Sequence, residues 1–177
     1  AAEQAHRASQ IISHLREFLS KGDNQREPLE LDQVVAGMLG FIKPEMGNGD
    51  VKLEHIPGTQ GHKVMANKVQ VEQVLVNLVR NSLEAIQGSG KATGNIVIQS
   101  RVLSDDVIET TVTDNGPGID ADMADKIFHP FQTSKSSGMG MGLSISRSII
   151  QAPGGELWVD NDYPDGALLG FSLPVSE

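Results

Sequence analysis

Three stretches of this chain carry residue types at spacings that could do chemistry. Gln73, Asn77 and Asn81 stand at i, i+4 and i+8, and Glu84 follows three residues later. At 3.6 residues per turn these four side chains share one helix face. Asparagine inside a helix lowers its propensity, so the stripe is either a solvated surface or a face turned to a ligand. Asp114-Asn115-Gly116-Pro117-Gly118 ends a strand-like run. Its glycines allow a sharp turn and close approach to something flat or anionic, and an acid there can accept a hydrogen bond from an exocyclic amine. The plain alternative is a turn with a solvated Asp. Thr133 to Leu143 is a Ser- and Gly-rich loop that runs straight into an apolar helix. Such a loop presents backbone N–H groups to phosphates, and the helix N-terminus adds a favourable field. A flexible linker is the alternative, weakened by the helix that follows.

Spacing removes several other chemistries. Gly138, Gly140 and Gly142 are two apart, so the dinucleotide fingerprint would need glycine where Leu143 stands, and no Gly-Lys-Ser/Thr tail makes a Walker A loop. Asp160-Asn161-Asp162 hints at calcium. Pro164 and Phe171, however, occupy positions where an EF-hand needs a ligand and a bidentate Glu, so this is read as a strand-connecting turn. Ile127 to Phe131 reads as an apolar clasp. His6 and His14 are eight apart and form no metal pair.

These groups need elements to hold them. Gln70 to Ile86 predicts a long amphipathic helix, with Val71, Leu75, Leu78, Val79, Ser82 and Ile86 toward a core. Asn95–Val102 and Val107–Thr113 alternate and flank a Ser104-Asp105-Asp106 turn, which predicts an antiparallel hairpin. Glu30 to Leu39 predicts a short strand running into a helix that stops before Lys43-Pro44. Val51–His55 and Lys63–Ala66 predict strands, as do Gly155–Asp160 and Ala167–Pro174. Asp120–Ile127 and Gly142–Gln151 predict helices. Ala1 to Lys21 predicts one more helix, with an apolar stripe through Ile11, Ile12, Leu15, Phe18 and Leu19 that needs partner helices to cover it. The chain opens in mid-helix, the expectation for a piece of a longer protein. The pattern is a helical piece followed by an α+β sandwich.

Composition narrows the partners. The 177 residues carry a net charge of −9, which argues against nucleic acid and anionic membranes but not against a nucleotide held by backbone N–H groups and a metal. With no cysteine, disulfides and thiolate zinc sites are impossible. The missing cysteines suit the cytosol, and a cytoplasmic location is expected whether the parent protein is soluble or membrane-anchored; no apolar run approaches the roughly 20 residues that cross a bilayer.

In this order the pieces resemble the ATP-binding domain of two-component sensor histidine kinases. Asn77-Leu-Val-Arg-Asn81-Ser-Leu-Glu84-Ala85 looks like the N box, and Asp114-x-Gly116-x-Gly118 like the G1 box. Phe128-His-Pro-Phe131 with Thr133-Ser-Lys135 looks like the F box, and Gly138-x-Gly140-x-Gly142-Leu143 like the G2 box. Residues 1–22 resemble the second helix of the family's dimerisation domain, in the manner of oxygen- and nitrogen-responsive sensors. Residues 23–29 then form a linker and 30–177 the catalytic domain. The resemblance implies a GHKL (Bergerat) α/β sandwich, a mixed sheet covered by helices on one face. It implies ATP and Mg²⁺ as ligands. Asp114 receives the adenine amino group, and Gly116 and Gly118 admit the base. Asn81 ligates the metal, and Asn77 supports the phosphate region with Glu84 on the same face. Lys135 reaches in from a lid whose Gly138, Met139, Gly140, Met141, Gly142 and Leu143 wrap the phosphates. The implied partners are the chain's own dimerisation helices, as a homodimer, and a response-regulator receiver domain. The chain departs from the common pattern at Glu84-Ala85, where many sensor kinases carry Lys-Tyr, and at Pro153, where relatives often have His.

No His here is followed by Glu or Asp and later Pro-Leu, so the phospho-accepting His is expected upstream of Ala1. Hydrolytic members of the superfamily place a Glu four residues before the metal Asn to activate water. That position is Asn77 here, and an amide cannot take the proton. The sequence therefore points to phosphoryl transfer onto a His of the dimerisation domain, with Asn77 and Asn81 at the catalytic centre. The fragment itself would bind Mg-ATP without autophosphorylating. The alternative is a GHKL ATPase or protein kinase acting on a protein partner.

Overall fold

A computed structural model describes residues 25–46, 50–131 and 140–176. The helix and histidines expected within residues 1–24 lie outside these, as do Lys135, Gly138 and Met139.

Alternation in the sequence becomes a five-stranded mixed sheet. Its strands are β2 (Val51–Ile56), β4 (Gly94–Ser104), β5 (Val107–Asp114), β6 (Glu156–Asp160) and β7 (Ala167–Pro174), in the order β2-β4-β5-β7-β6. The β2–β4 pair is parallel and the others are antiparallel. A two-stranded ribbon pairs β1 (Glu27–Leu29) with β3 (Val64–Ala66). Four helices complete the described chain: α1 (Leu31–Glu45), α2 (Lys68–Gly88), α3 (Ala121–Ala124) and α4 (Gly142–Gln151).

One face of the sheet is buried. Ile96, Ile98, Val112, Leu169 and Phe171 alternate inward and join a single apolar cluster with Val35 and Met38 of α1, Leu75, Leu78 and Val79 of α2, and Ile150 of α4. Burying one such aliphatic side chain stabilises the fold by about 1.5–3 kcal/mol. The six α2 residues expected to face the core are all buried, and Val74 joins them. The α2 N-terminus is capped: Asn67 Oδ1 accepts from Gln70 N at 3.0 Å, satisfying one donor that a helix start leaves open.

Most boundaries shift by one or two residues; the short strand expected from Glu30 lies ahead of it, with α1 starting at Leu31, and three further differences are larger. Helix α1 runs through Pro44 to Glu45. Pro44 cannot donate to the Gly40 carbonyl, but only one residue of helix follows it, so the lost bond falls at the helix end rather than breaking its interior. Only Ala121–Ala124 of the expected Asp120–Ile127 helix is α-helical, and the chain then turns. Glu27–Leu29, inside the segment read as linker, pairs with β3 and buries Leu29.

The first turn of α1 is pinned to the far end of β2. Asp32 Oδ2 accepts from Gly58 N (3.1 Å), Thr59 N (2.9 Å) and Thr59 Oγ1 (2.7 Å). Its Oδ1 lies 3.5 Å from His55 Nε2, with both side chains largely buried. Burial pushes the His55 pKa below the usual histidine value, and the neighbouring Asp32 charge offsets part of that.

Candidate nucleotide-binding site

Helix α2 is the floor on which the separated motifs meet. Near its C-terminal end lies the loop after β5. A β-carbon on Gly116 would come 3.5 Å from Ala85 Cβ, so this loop rests directly on the helix. Nearer its middle lies the start of α4. A β-carbon on Gly142 would come 2.5 Å from Asn77 Oδ1, so the amide would have to move to admit any side chain there. Asn77 Nδ2 also donates to Ser146 Oγ at 3.0 Å. Eight residues separate Asn77 from Ala85, about 12 Å along the axis. Asn81, half-buried, lies midway between the two loops, and Glu84 is exposed.

Asp114 closes one end of this floor. The alternation of β5 turns it to the buried face, where it is 4% exposed. Its Oδ1 accepts from Gly116 N at 2.8 Å and from Ala167 N at 3.3 Å. Among the described residues nothing donates to Oδ2. A buried carboxylate costs free energy unless its oxygens are satisfied, so the second oxygen is suited to a ligand donor. Beside it Gly166 has φ +147, and a β-carbon there would come 1.9 Å from the Asp114 carbonyl oxygen. The residue must be glycine if the β6–β7 turn is to lie against the β5 end.

The glycine-rich loop closes the other end. Its described part is Gly140, Met141, Gly142 and Leu143, with α4 beginning at Gly142. The flanks of residues 132–139 are joined: Phe131 N donates to Gly140 O at 2.9 Å. The Arg147 guanidinium lies 5.2 Å from the centre of the Phe128 ring, within cation–π range. The first turn of α4 thus offers helix N–H groups beside Asn77, an arrangement that suits an anion. An open depression of about 420 Å³ lies at the Asp114 end, lined in part by Gly116, Gly118, Gly166 and Ala167. Lys91, Asp120, Tyr163 and Asp165 complete its lining, and no residue of α2 or α4 reaches it.

Of the residues singled out in the sequence, the structure gathers Asn77, Asn81, Asp114, Gly116, Gly140, Met141, Gly142 and Leu143 around one helix, with Gly118 in the adjoining turn. It adds Ser146, Gly166 and Ala167, which the sequence reading passed over. A trace of each was present. Ser146 is a hydroxyl on the apolar side of a short helix, and Gly166 follows Asp165 immediately before a strand.

A sandwich with a mixed sheet, a helix bearing paired asparagines, and Asp- and Gly-rich loops at its two ends defines a GHKL-type ATPase domain. Residues 66–177 match the family described as histidine kinase-, DNA gyrase B-, and HSP90-like ATPase, and the chain belongs to it. Its relatives are sensor kinases. Sensor protein FixL of Bradyrhizobium diazoefficiens is 41% identical over 100% of this chain and 35% of that protein. The C4-dicarboxylate transport sensor protein DctB of Rhizobium meliloti is 37% identical over 97% of this chain and 27% of that protein. The chain thus spans about a third or less of the length of these curated relatives. Among solved structures, the catalytic domain of histidine kinase ThkA aligns with a TM-score of 0.74 at 28% identity, over 85% of this chain and 95% of that one. ThkA in complex with response regulator protein TrrA aligns with a TM-score of 0.78 at 25% identity, over 99% of this chain and 49% of that one. The chain carries the ATPase-type catalytic domain found in sensor histidine kinases. Among the described residues no helix is long and apolar enough to cross a membrane.

Proposed function

We propose that this chain binds Mg-ATP along α2, with the base at Asp114 and the phosphates at Asn77, Asn81 and the start of α4. The observation that carries this reading is the Asp114 carboxylate. One oxygen is held by two backbone N–H groups and the other is open, as recognition of an exocyclic amine requires. Gly116 and Gly118 leave room for the base. Gly140, Met141, Gly142 and Leu143 meet the phosphates with backbone N–H groups, joined by Lys135, Gly138 and Met139.

The donor set suits Mg²⁺. Among the described residues there is no cluster of three or more His, Asp or Glu that would hold a metal by itself. A hard ion that keeps its waters and shares phosphate oxygens needs only one or two protein oxygens, and Asn81 would supply one. Held there by Asn81, a magnesium ion would neutralise phosphate charge during transfer.

In the whole protein the γ-phosphoryl passes to a histidine of the dimerisation domain. The histidine nitrogen forms the new bond to phosphorus, the bond to the bridging β–γ oxygen breaks, and ADP departs. The side chains of α2 hold and orient the nucleotide; none of them takes a proton from water. Asn77 supports this choice over hydrolysis, because its amide is engaged with Ser146 and has no basic lone pair to offer. A receiver domain then accepts the phosphoryl group, as the ThkA–TrrA complex suggests by analogy. Residues 1–22 serve as a dimerisation helix, 23–29 as the link to the catalytic domain, and the kinase works on the cytoplasmic side.

As it stands the chain binds Mg-ATP without phosphorylating itself. Incubation with γ-labelled ATP leaves it unlabelled, while a longer form that includes the upstream dimerisation helix takes up acid-labile, base-stable phosphate. Acid-labile label on the short chain would refute the assignment of the acceptor.

A further inference from the structure

Ser146 is 2% exposed, yet it stands on a helix face otherwise given to apolar packing with Ile150. A hydroxyl buried there is costly unless it is hydrogen-bonded. Its partner is Asn77, 69 residues away in sequence, through Nδ2 at 3.0 Å. The same carboxamide turns its oxygen to Gly142, one helical turn before Ser146, closely enough that a β-carbon would come 2.5 Å from it. The amide is therefore seated between two consecutive turns of α4.

An asparagine amide rotates about a broad, nearly two-fold torsion, so packing alone scarcely decides which end points where. The Ser146 hydroxyl holds the group in place by accepting from Nδ2; a hydroxyl can meet either end of an amide, and the free N–H groups at the start of α4, beside Gly142, favour the oxygen end on their side. With Nδ2 committed to Ser146, Oδ1 is fixed toward the α4 N-terminus. We infer that Ser146 is a positioning residue of the nucleotide site: it sets the Asn77 carboxamide and, through that one bond, ties the helix carrying the end of the glycine-rich loop to the helix that forms the floor. The inference rests on the nucleotide-binding reading above.

The test is a double-mutant cycle read by calorimetric titration of the 177-residue chain with Mg-ATP, beside thermal melts. Ser146→Ala weakens Mg-ATP binding about three- to tenfold, the worth of one net hydrogen bond, with little change in melting temperature. Ser146→Thr, which keeps the hydroxyl, restores most of the affinity. In an Asn77→Ala background the same Ser146→Ala change has no further effect, because the group it positions is gone. Adenosine, which engages only the Asp114 end, competes equally well against wild type and Ser146→Ala. Full Mg-ATP affinity in Ser146→Ala, an equal loss in both backgrounds, or an equal loss of adenosine binding would each overturn the inference. Failure of the wild-type chain to bind Mg-ATP at all would instead overturn the reading of the site on which it depends.

Discussion

The backbone carbonyl oxygen of Asp114 occupies the space that a β-carbon on Gly166 would need, 1.9 Å away. The acid that closes the site and the turn behind it are built against each other. Backbone atoms cannot move aside as a flexible side chain can, so Gly166→Ala must displace either the β6–β7 turn or the end of β5. The expected cost is about 2 kcal/mol or more, the range of forced backbone strain. A thermal melt should show a fall of roughly 5 °C or more, with loss of nucleotide affinity. A melt unchanged from wild type would show that the turn does not rest on Asp114.

Gly142→Ala separates binding from stability in the opposite sense. The new methyl would fall 2.5 Å from Asn77 Oδ1, and the amide must swing away from Ser146 to admit it. Alanine is a better helix former than glycine by about 1 kcal/mol, so the melting temperature should hold or rise slightly. Mg-ATP affinity should drop by about tenfold, the cost of roughly one misplaced polar contact. Titration and melting on the same sample check both halves.

His55 makes stability depend on pH at a distance from the site. Its pKa is lowered in the folded state, by burial first, against an ordinary value of 6.5. The unfolded chain therefore binds the proton more readily. Stability is fully present above 6.5 and falls as pH drops through 6.5 toward the folded value. Melting temperatures measured from pH 8 down to pH 5 should decline below 6.5 in wild type. In His55→Gln, which cannot charge, that part of the decline should disappear. Parallel curves for the two proteins would mean that His55 is not protonated in that window.

The parts of the fold legible in the sequence are those encoded locally. Helix α2 was readable because its apolar period runs for more than four turns, from Val71 to Ile86. The β4–β5 hairpin was readable because two alternating runs flank a polar turn, and the β7 and α4 boundaries fall where their patterns begin and end. What was not legible lies between distant residues. The Asn77–Ser146 bond spans 69 positions and the Asp114–Ala167 bond 53, and no local pattern announces either. Strand β1 is three residues long and exists because β3 lies beside it. Pro44 misled because proline usually breaks a helix, whereas in the last turn of α1 it only trims it. For the site, the order of four short motifs carried the recognition. How Asn77 and Asp114 are held required the tertiary structure.

The most direct measurement is calorimetric titration of wild type and Asp114→Asn with Mg-ATP. The substitution keeps size and shape and leaves an oxygen for the Gly116 and Ala167 N–H groups. It replaces the open carboxylate oxygen with an amide donor that faces the adenine amine. Wild type should bind, and Asp114→Asn should lose about 1.5–3 kcal/mol, the worth of a charge-assisted hydrogen bond, or roughly ten- to a hundredfold in affinity, while melting as a folded protein. Equal affinity in the two proteins would contradict the claim that Asp114 anchors the nucleotide on the α2 floor.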